Sequence, residues 1–402
     1  MSDAAEEERV ASESRRNTGA QVLLGDLGGT NIRFSLYSVQ ELHGVRSAPT
    51  YVARYRTADF GHLSEALQRF AAEKPDNFGA IVACSLSVCG PVSSGKAICL
   101  HESMGADGWA LEEVELAKVL GLPEGRVRML NDFVAVGLAV GGAGLSSSPE
   151  TLHTVHPGAG INNTEGTIAV LGPGTGLGSC FGTRQPQLEI YPSEGGESDF
   201  VARTDKEWAL RTHLARSLDV DHVKVEHVVS GLGISRIYAF LRAGGQGGQG
   251  GAGGTSKRRR TSTTPADDRA AAIQAEVDAA VDPSAVVVAH GTLGSPNADP
   301  ECVAAVDMFI DALGAEAANL ALRFQAFGGV YIAGGVAAKL SDRLVITGRE
   351  RLLAAYLGKG HSVDAYRDCP LYVLAVEGDD LAMAGAWEFA KSDKVGFRRI
   401  IA

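Results

Sequence analysis

The chain has 402 residues, a formal net charge of −11, 45% hydrophobic residues and 21% charged residues. That length accommodates two domains with large cores, and the composition excludes a disordered or fibrous chain. The acidic balance excludes a general nucleic-acid surface, which has to be basic, and no apolar run reaches the roughly 18 residues of a membrane span.

Residues 1–20 are charged and free of aromatics, and read as a disordered tail. The apolar run Gln21-Val22-Leu23-Leu24 predicts a buried strand, and Ile32 to Val39 predicts a second one. Between them lies the turn Gly25-Asp26-Leu27-Gly28-Gly29-Thr30-Asn31. Gly28 and Gly29 let an anion approach the backbone, Thr30 and Asn31 add donors, and Asp26 suits a hydrated divalent cation. By itself such a turn reads first as an ordinary tight hairpin, and the rest of the chain reverses that reading.

The pattern then predicts a strand over 50–56, a helix over 63–72, strands over 79–86 and 96–100, a helix over 111–120 and a strand over 126–130. Asn131-Asp132 ends that strand, and a helix follows over 133–140. A carboxylate at the carboxyl end of a strand is a usual place for chemistry in an α/β fold. Asp132 before Phe133-Val134-Ala135 would also serve as a helix N-cap.

A second strand, turn and strand follow about 150 residues later. Thr167 to Leu171 leads into Gly172-Pro173-Gly174-Thr175-Gly176-Leu177-Gly178, and Ser179 to Thr183 returns. The repeated grammar predicts duplicated lobes. Helices are expected over 205–217, 231–242, 266–280 and 302–327, strands over 328–333 and 371–376, and a closing helix over 381–391. Ala243 to Pro265 is Gly/Gln-rich, then Lys257-Arg258-Arg259-Arg260, then Ser/Thr, and reads as a flexible surface insertion.

Facing glycine turns in two lobes would clamp a triphosphate. A γ-phosphoryl group would then lie near Asp132, whose carboxylate could accept the proton of an attacking sugar hydroxyl. Glu194 and Glu226 are further carboxylates; several converging on one cleft suit a polyol, while each alone reads as a surface charge. The six cysteines show no C-x-x-C spacing and read as free thiols of a reducing compartment. The N-terminus is unlike a signal peptide and the last three residues are not a peroxisomal tripeptide, so a cytoplasmic protein is expected.

These motifs, with Leu130-Asn131-Asp132-Phe133, Glu194-Gly195-Gly196 and Phe327 to Gly335, appear in an order that resembles the bacterial-type glucokinases. The resemblance runs from Gln21 to the end apart from the insertion. It implies an α/β, two-lobed actin-like ATPase (hexokinase/ribonuclease H-like) fold with duplicated mixed-sheet lobes. The small lobe would span 21–142, completed by 381–402, and the large lobe 143–380 with the insertion at 243–265. It implies ATP, Mg²⁺ and glucose as ligands, with phosphoryl transfer to the 6-hydroxyl at the entry to glycolysis, and often a homodimer.

By motif, Asp132 resembles the catalytic base, and Asn131, Glu194 and Glu226 resemble sugar ligands. Gly25, Asp26, Leu27, Gly28, Gly29, Thr30 and Asn31, with Gly174, Thr175 and Gly176, resemble the phosphate loops. Gly334 and Gly335 would lie by the adenosine. Glu197, a further candidate sugar ligand, stands where the family usually has a sugar-contacting His, and Leu100-His101-Glu102-Ser103 stands where Thr-Asn is common. Two nearby carboxylates, Glu194 and Glu197, would resist joint ionisation and share a proton. The alternative reading is a kinase for another hexose or an amino sugar such as glucosamine. A repressor on this fold would need a DNA-binding domain that 20 residues cannot hold.

Overall fold

The computed structural model describes residues 19–40, 48–75, 78–142, 151–158, 166–245, 265–295, 297–376 and 378–392. The core of the expected insertion, 246–264, and most of the N-terminal tail lie outside the described residues. The chain divides into two units: Met1–Ser148 with Gln187–Pro192 and Gly378–Ala402, and Pro149–Pro186 with Ser193–Glu377.

In chain order the first unit carries strands β1 (Gln21–Leu27), β2 (Asn31–Ser38), β3 (Tyr51–Arg56), β4 (Ile81–Val88), β5 (Val92–Ser93), β6 (Lys96–Cys99), β7 (Trp109–Glu112) and β8 (Val127–Asn131). One sheet runs β3-β2-β1-β4-β8 and a smaller one β5-β6-β7. β1 pairs antiparallel with β2 and parallel with β4, and β4 pairs parallel with β8. The unbroken apolar run in β1 is explained by burial on both faces. Val22 and Leu24 pack with Tyr37, Met383 and Trp387, whereas Leu23 and Leu27 pack with Phe34, Leu67 and Phe70.

The helix Gly378–Lys391 covers the first of these faces. A β-carbon on its Gly385 would collide with the Ala135 carbonyl of the helix Asp132–Gly141, so glycine permits this close crossing. Arg33 Nη1 donates to Asp380 Oδ1 at 2.7 Å.

One expected element is divided in the structure. The helix predicted to begin at Leu111 starts at Glu113, because Trp109–Glu112 forms β7 against β6. Trp109 and Leu111 are buried while Ala110 and Glu112 are exposed, a period of two. Leu111 thus fits both the strand and the apolar helical stripe beyond it, and cross-strand pairing decides for the strand.

The second unit contains β9 (Leu152–His156), β10 (Ile168–Pro173), β11 (Leu177–Thr183), β13 (Gly329–Ile332) and β14 (Leu371–Leu374), with the strand β12 (Glu189–Ser193) preceding its short helical turn at Gly195–Glu197. β10 pairs antiparallel with β11 and parallel with β13; β13 pairs parallel with β14, and β14 antiparallel with β9. The helix Pro300–Phe324 forms the centre of the core, burying Cys302, Val306, Phe309, Ile310 and Leu313. Pro300 at its start and Asp299 as its cap set the beginning; Asp299 Oδ1 accepts from Glu301 N and Cys302 N at 3.0 Å each. All six cysteines are free.

Candidate active site

In the first unit the parallel strands end side by side: Leu27 lies opposite Val88, and Val88 opposite Asn131. Asp26 on β1 and Asp132 just after β8 are therefore carried to the same end of one sheet. Both carboxylates act on Cys89. Its thiol is pushed up first by a hydrogen bond to Cys99 and by burial, then by the charge of Cys99, Asp132 and Asp26.

Asn131, not Asp132, is the helix cap. Asn131 Oδ1 accepts from Phe133 N at 3.0 Å and Val134 N at 3.2 Å, and Asp132 is the first helical residue. The strand delivers Asn131 in extended backbone geometry, the geometry a cap requires. Asn131 Nδ2 also donates to Gly90 O at 3.1 Å, which leaves one amide N–H for a ligand. Asp132 Oδ1 accepts from Phe133 N at 2.9 Å.

The first glycine turn is tethered rather than open. Gly28 N donates to Asn31 O at 2.9 Å, Thr57 N to Thr30 O at 3.0 Å, and Thr57 Oγ1 to Gly28 O at 3.0 Å. Asn31 Nδ2 donates to Thr30 Oγ1 at 3.3 Å. Gly25, expected in the phosphate loop, lies inside β1. A β-carbon there would stand 2.5 Å from Leu86 and 3.0 Å from Phe34, so packing rather than ligand approach demands glycine. A β-carbon on Gly29 would run into the imidazole of His101, which covers the turn. His101 Nδ1 accepts from Ser103 N at 3.2 Å, so a neutral ring carries its proton on Nε2.

The second glycine turn is barer. Gly174 N donates to Gly176 O at 2.9 Å, and Gly231 N, opening the helix Gly231–Arg242, donates to Gly174 O at 2.8 Å. Thr175 is exposed. β-carbons on Gly174 or Gly335 would meet nothing within 4 Å among the described residues. Gly334, with φ +90, brings its backbone against Gly172 and Pro173; a β-carbon there would lie 2.8 Å from the Pro173 carbonyl. Gly334, Gly335 and Gly174–Gly176 are thus neighbours within one unit.

Glu194, Glu197 and Glu226 also belong to this unit. Glu194 precedes the turn Gly195–Glu197, and Glu226 sits in the turn Val225–His227. A β-carbon on Gly176 would lie 2.8 Å from Glu226 Oε2, which places this carboxylate against the glycine turn. The Glu194 carboxylate makes no hydrogen bond to the described residues. Glu197 has a different partner from the one expected. Lys224 Nζ donates to it at 2.8 Å (Oε1), and Glu197 Oε2 lies 2.7 Å from the same nitrogen. The Lys224 ammonium thus stands against both oxygens of Glu197. Burial pulls the Lys224 ammonium down, but the hydrogen bond and charge of Glu197 and the charge of Glu226 outweigh it, leaving its pKa raised.

His227 Nδ1 accepts from Lys224 N at 3.2 Å. Its pKa is lowered to about 4 by burial, then by the charges of Arg236 and Lys224. A neutral ring is what this accepting geometry requires. Lys224 was missed in the sequence, since a lone lysine carries no motif; His101 lies in the stretch Leu100–Ser103 that departs from the family pattern.

The glucokinase family model matches residues 23–393. That span is nearly the whole chain and runs from within β1 to just past the closing helix Gly378–Lys391. The chain belongs to the glucokinase family. It is 32% identical over 357 residues to the glucokinase of Trichormus variabilis, covering 88% of this chain and 94% of that one. Among solved structures, the glucokinase of Balamuthia mandrillaris in complex with glucose superposes with TM-score 0.75 at 17% identity, covering 96% of this chain and 99% of the other. A ROK-family glucokinase from Streptomyces griseus in complex with glucose and AMPPNP superposes with TM-score 0.56 at 17% identity, covering 92% and 98%. The fold is that of the sugar kinases of the actin-like ATPase class. A kinase transferring phosphate to a sugar hydroxyl is the activity of this family.

Proposed function

We infer that the chain transfers the γ-phosphoryl of ATP to the 6-hydroxyl of glucose. Family membership across residues 23–393 carries this reading. Asp132 is the proposed base. Standing just beyond the end of β8, its carboxylate accepts the hydroxyl proton as the oxygen attacks phosphorus, which needs positioning more than a strongly altered pKa. Asn131 supplies its remaining amide N–H to the sugar, and Glu194 and Glu226 accept from sugar hydroxyls. The backbone and side-chain donors of Gly28–Asn31 and Gly174–Gly176 hold phosphate oxygens, with Gly334 and Gly335 beside the adenosine.

The family implies Mg²⁺. Among the described residues no group of three or more His, Cys, Asp or Glu could hold a metal. A Mg²⁺ that keeps water and phosphate ligands needs no such cage, and Asp26 at the end of β1 fits it as a single carboxylate, through water. Bound there, the ion would neutralise phosphate charge.

We further propose a cytoplasmic homodimer that serves the entry to glycolysis and engages neither nucleic acid nor membrane. Among the described residues no helix is long and apolar enough to cross a membrane. The reading is tested by a coupled ADP-release assay over glucose, mannose, fructose, galactose and glucosamine. The highest kcat/KM is expected on glucose. A preference for another hexose or for glucosamine by about tenfold or more, roughly 1.4 kcal/mol, would replace glucose in this assignment.

A further inference from the structure

Lys224 stands between two of the three glutamates. Its Nζ is 2.7 Å from Glu197 Oε2 and 3.6 Å from Glu226 Oε1. Backbone pairing brings the segments that carry these side chains together. Asp199 and Lys224 form an antiparallel bridge, Phe200 N donates to Val223 O at 2.8 Å, and Val225 N donates to Ser198 O at 2.8 Å. On the outer side, His222 binds the Glu197 carbonyl through Nε2 at 2.7 Å and Asp199 Oδ1 through Nδ1 at 2.9 Å. Glu226 is fixed from the other direction, with Oε2 against Gly176 and its carbonyl accepting from Ser230 Oγ at 2.7 Å.

The two contacts of Lys224 differ in kind. The one to Glu197 is a close charge-assisted hydrogen bond. The one to Glu226, at 3.6 Å, is too long for a hydrogen bond but close enough for charge attraction. An ammonium only donates and a carboxylate only accepts, so the pair is incomplete in a definite way. A hydroxyl bridging them accepts from Lys224 Nζ and donates to Glu226 Oε1, using both of its hydrogen-bonding capacities. Nothing in the pair discriminates among polyols except where the hydroxyl must lie.

We propose that Lys224 is a sugar-binding residue: its ammonium and the Glu226 carboxylate grip one sugar hydroxyl as a donor–acceptor couple, while Glu197 is a positioning residue that holds Lys224 in place. This deepens the glucokinase reading and rests on its assignment of Glu226 to the sugar. It changes the part played by Glu197, which acts through Lys224 rather than on the sugar.

The test is steady-state kinetics of the full-length enzyme and the variants Lys224→Met, Glu197→Gln, their double mutant and Glu226→Gln. The substrates are glucose and its 1-, 2-, 3- and 4-deoxy analogues. Lys224→Met is expected to raise the KM for glucose by about 10- to 100-fold, the loss of one charge-assisted hydrogen bond, with kcat and the KM for ATP within about threefold of wild type. Glu197→Gln is expected to raise it by about 3- to 10-fold, and the double mutant to be no worse than Lys224→Met, because Glu197 acts only through the lysine. With one deoxy analogue, the one lacking the gripped hydroxyl, wild type and Lys224→Met should have equal KM. A purely structural role would not single out one hydroxyl.

A wild-type glucose KM in Lys224→Met, or a loss equal for every analogue, overturns the inference provided Glu226→Gln raises the KM. A wild-type KM in Glu226→Gln overturns the sugar-site reading itself. Should Lys224→Met not fold, Lys224→Gln carries the same expectation.

Discussion

Both units are built on the same strand order. β1 is flanked by antiparallel β2 and parallel β4, with parallel β8 beyond; β10 is flanked by antiparallel β11 and parallel β13, with parallel β14 beyond. Each central hairpin closes through a glycine turn, and the two turns are unlike. The first is tied by Thr57 and covered by His101, with Asp26 and Asp132 at the same sheet end. The second is open at Gly174, and its carboxylates come from two separate short turns at Glu194–Glu197 and Val225–His227. The backbone plan is shared; the side chains around the two turns differ. A strand end places a carboxylate with little freedom, which suits a base, whereas short turns bring several acceptors together, which suits a polyol.

The largest expected effect falls on the strand-end carboxylate. Asp132→Asn should lower kcat by roughly 10²–10⁴-fold while glucose still binds. Wild-type turnover in the folded variant would remove Asp132 from the chemistry.

A matched pair of substitutions then sets the two turns against each other. Gly174→Ala adds a β-carbon into open space, so the melting temperature should hold while the KM for ATP rises by about tenfold. Gly29→Ala must displace the His101 ring and should cost about 1–3 kcal/mol of stability. Equal stability losses at both positions would mean the turns are packed alike.

The acceptor-rich turns of the second unit should also respond to acid. An unfolded histidine takes up its proton near pH 6.5, whereas folded His227 resists until about 4. Between these values the unfolded chain binds more protons, so stability falls as pH drops through that window. Thermal melts of wild type and His227→Gln over pH 4–7 check this: the variant should show the flatter curve, and parallel curves would place His227 outside the acid response.

The smallest effect concerns exposed His222, whose pKa is raised by its hydrogen bonds to the Glu197 carbonyl and to Asp199, against burial and the Lys224 charge. Its clamp is complete below the ordinary histidine value and weakens as pH rises through the folded one. An NMR titration of the ring should give a midpoint above 6.5, falling in Asp199→Asn; an unmoved midpoint would show that Asp199 contributes nothing to the clamp.

Much of this was legible in the sequence. The strands flanking each glycine turn, the helices at 205–217 and 231–242, and the family motifs are written in local spacing: apolar runs, 3.6-residue stripes and glycines at turns. Where local signals overlap, as at Leu111 and at Asn131-Asp132, the reading slips by one or two residues, because strand pairing selects the register and the register selects the cap.

The amino-acid order by itself determined the fold class, the family and the positions of the candidate carboxylates, since those rest on neighbours within a few residues. Tertiary structure alone decided what each group faces. Gly25 is glycine because Leu86 and Phe34 crowd it, Gly29 because His101 lies over it, and Glu197 meets Lys224 rather than Glu194. Those partners are separated by 9 to 72 positions in the chain. Only the paired strands and turns that carry them bring such residues within the few ångströms over which packing and hydrogen bonds act.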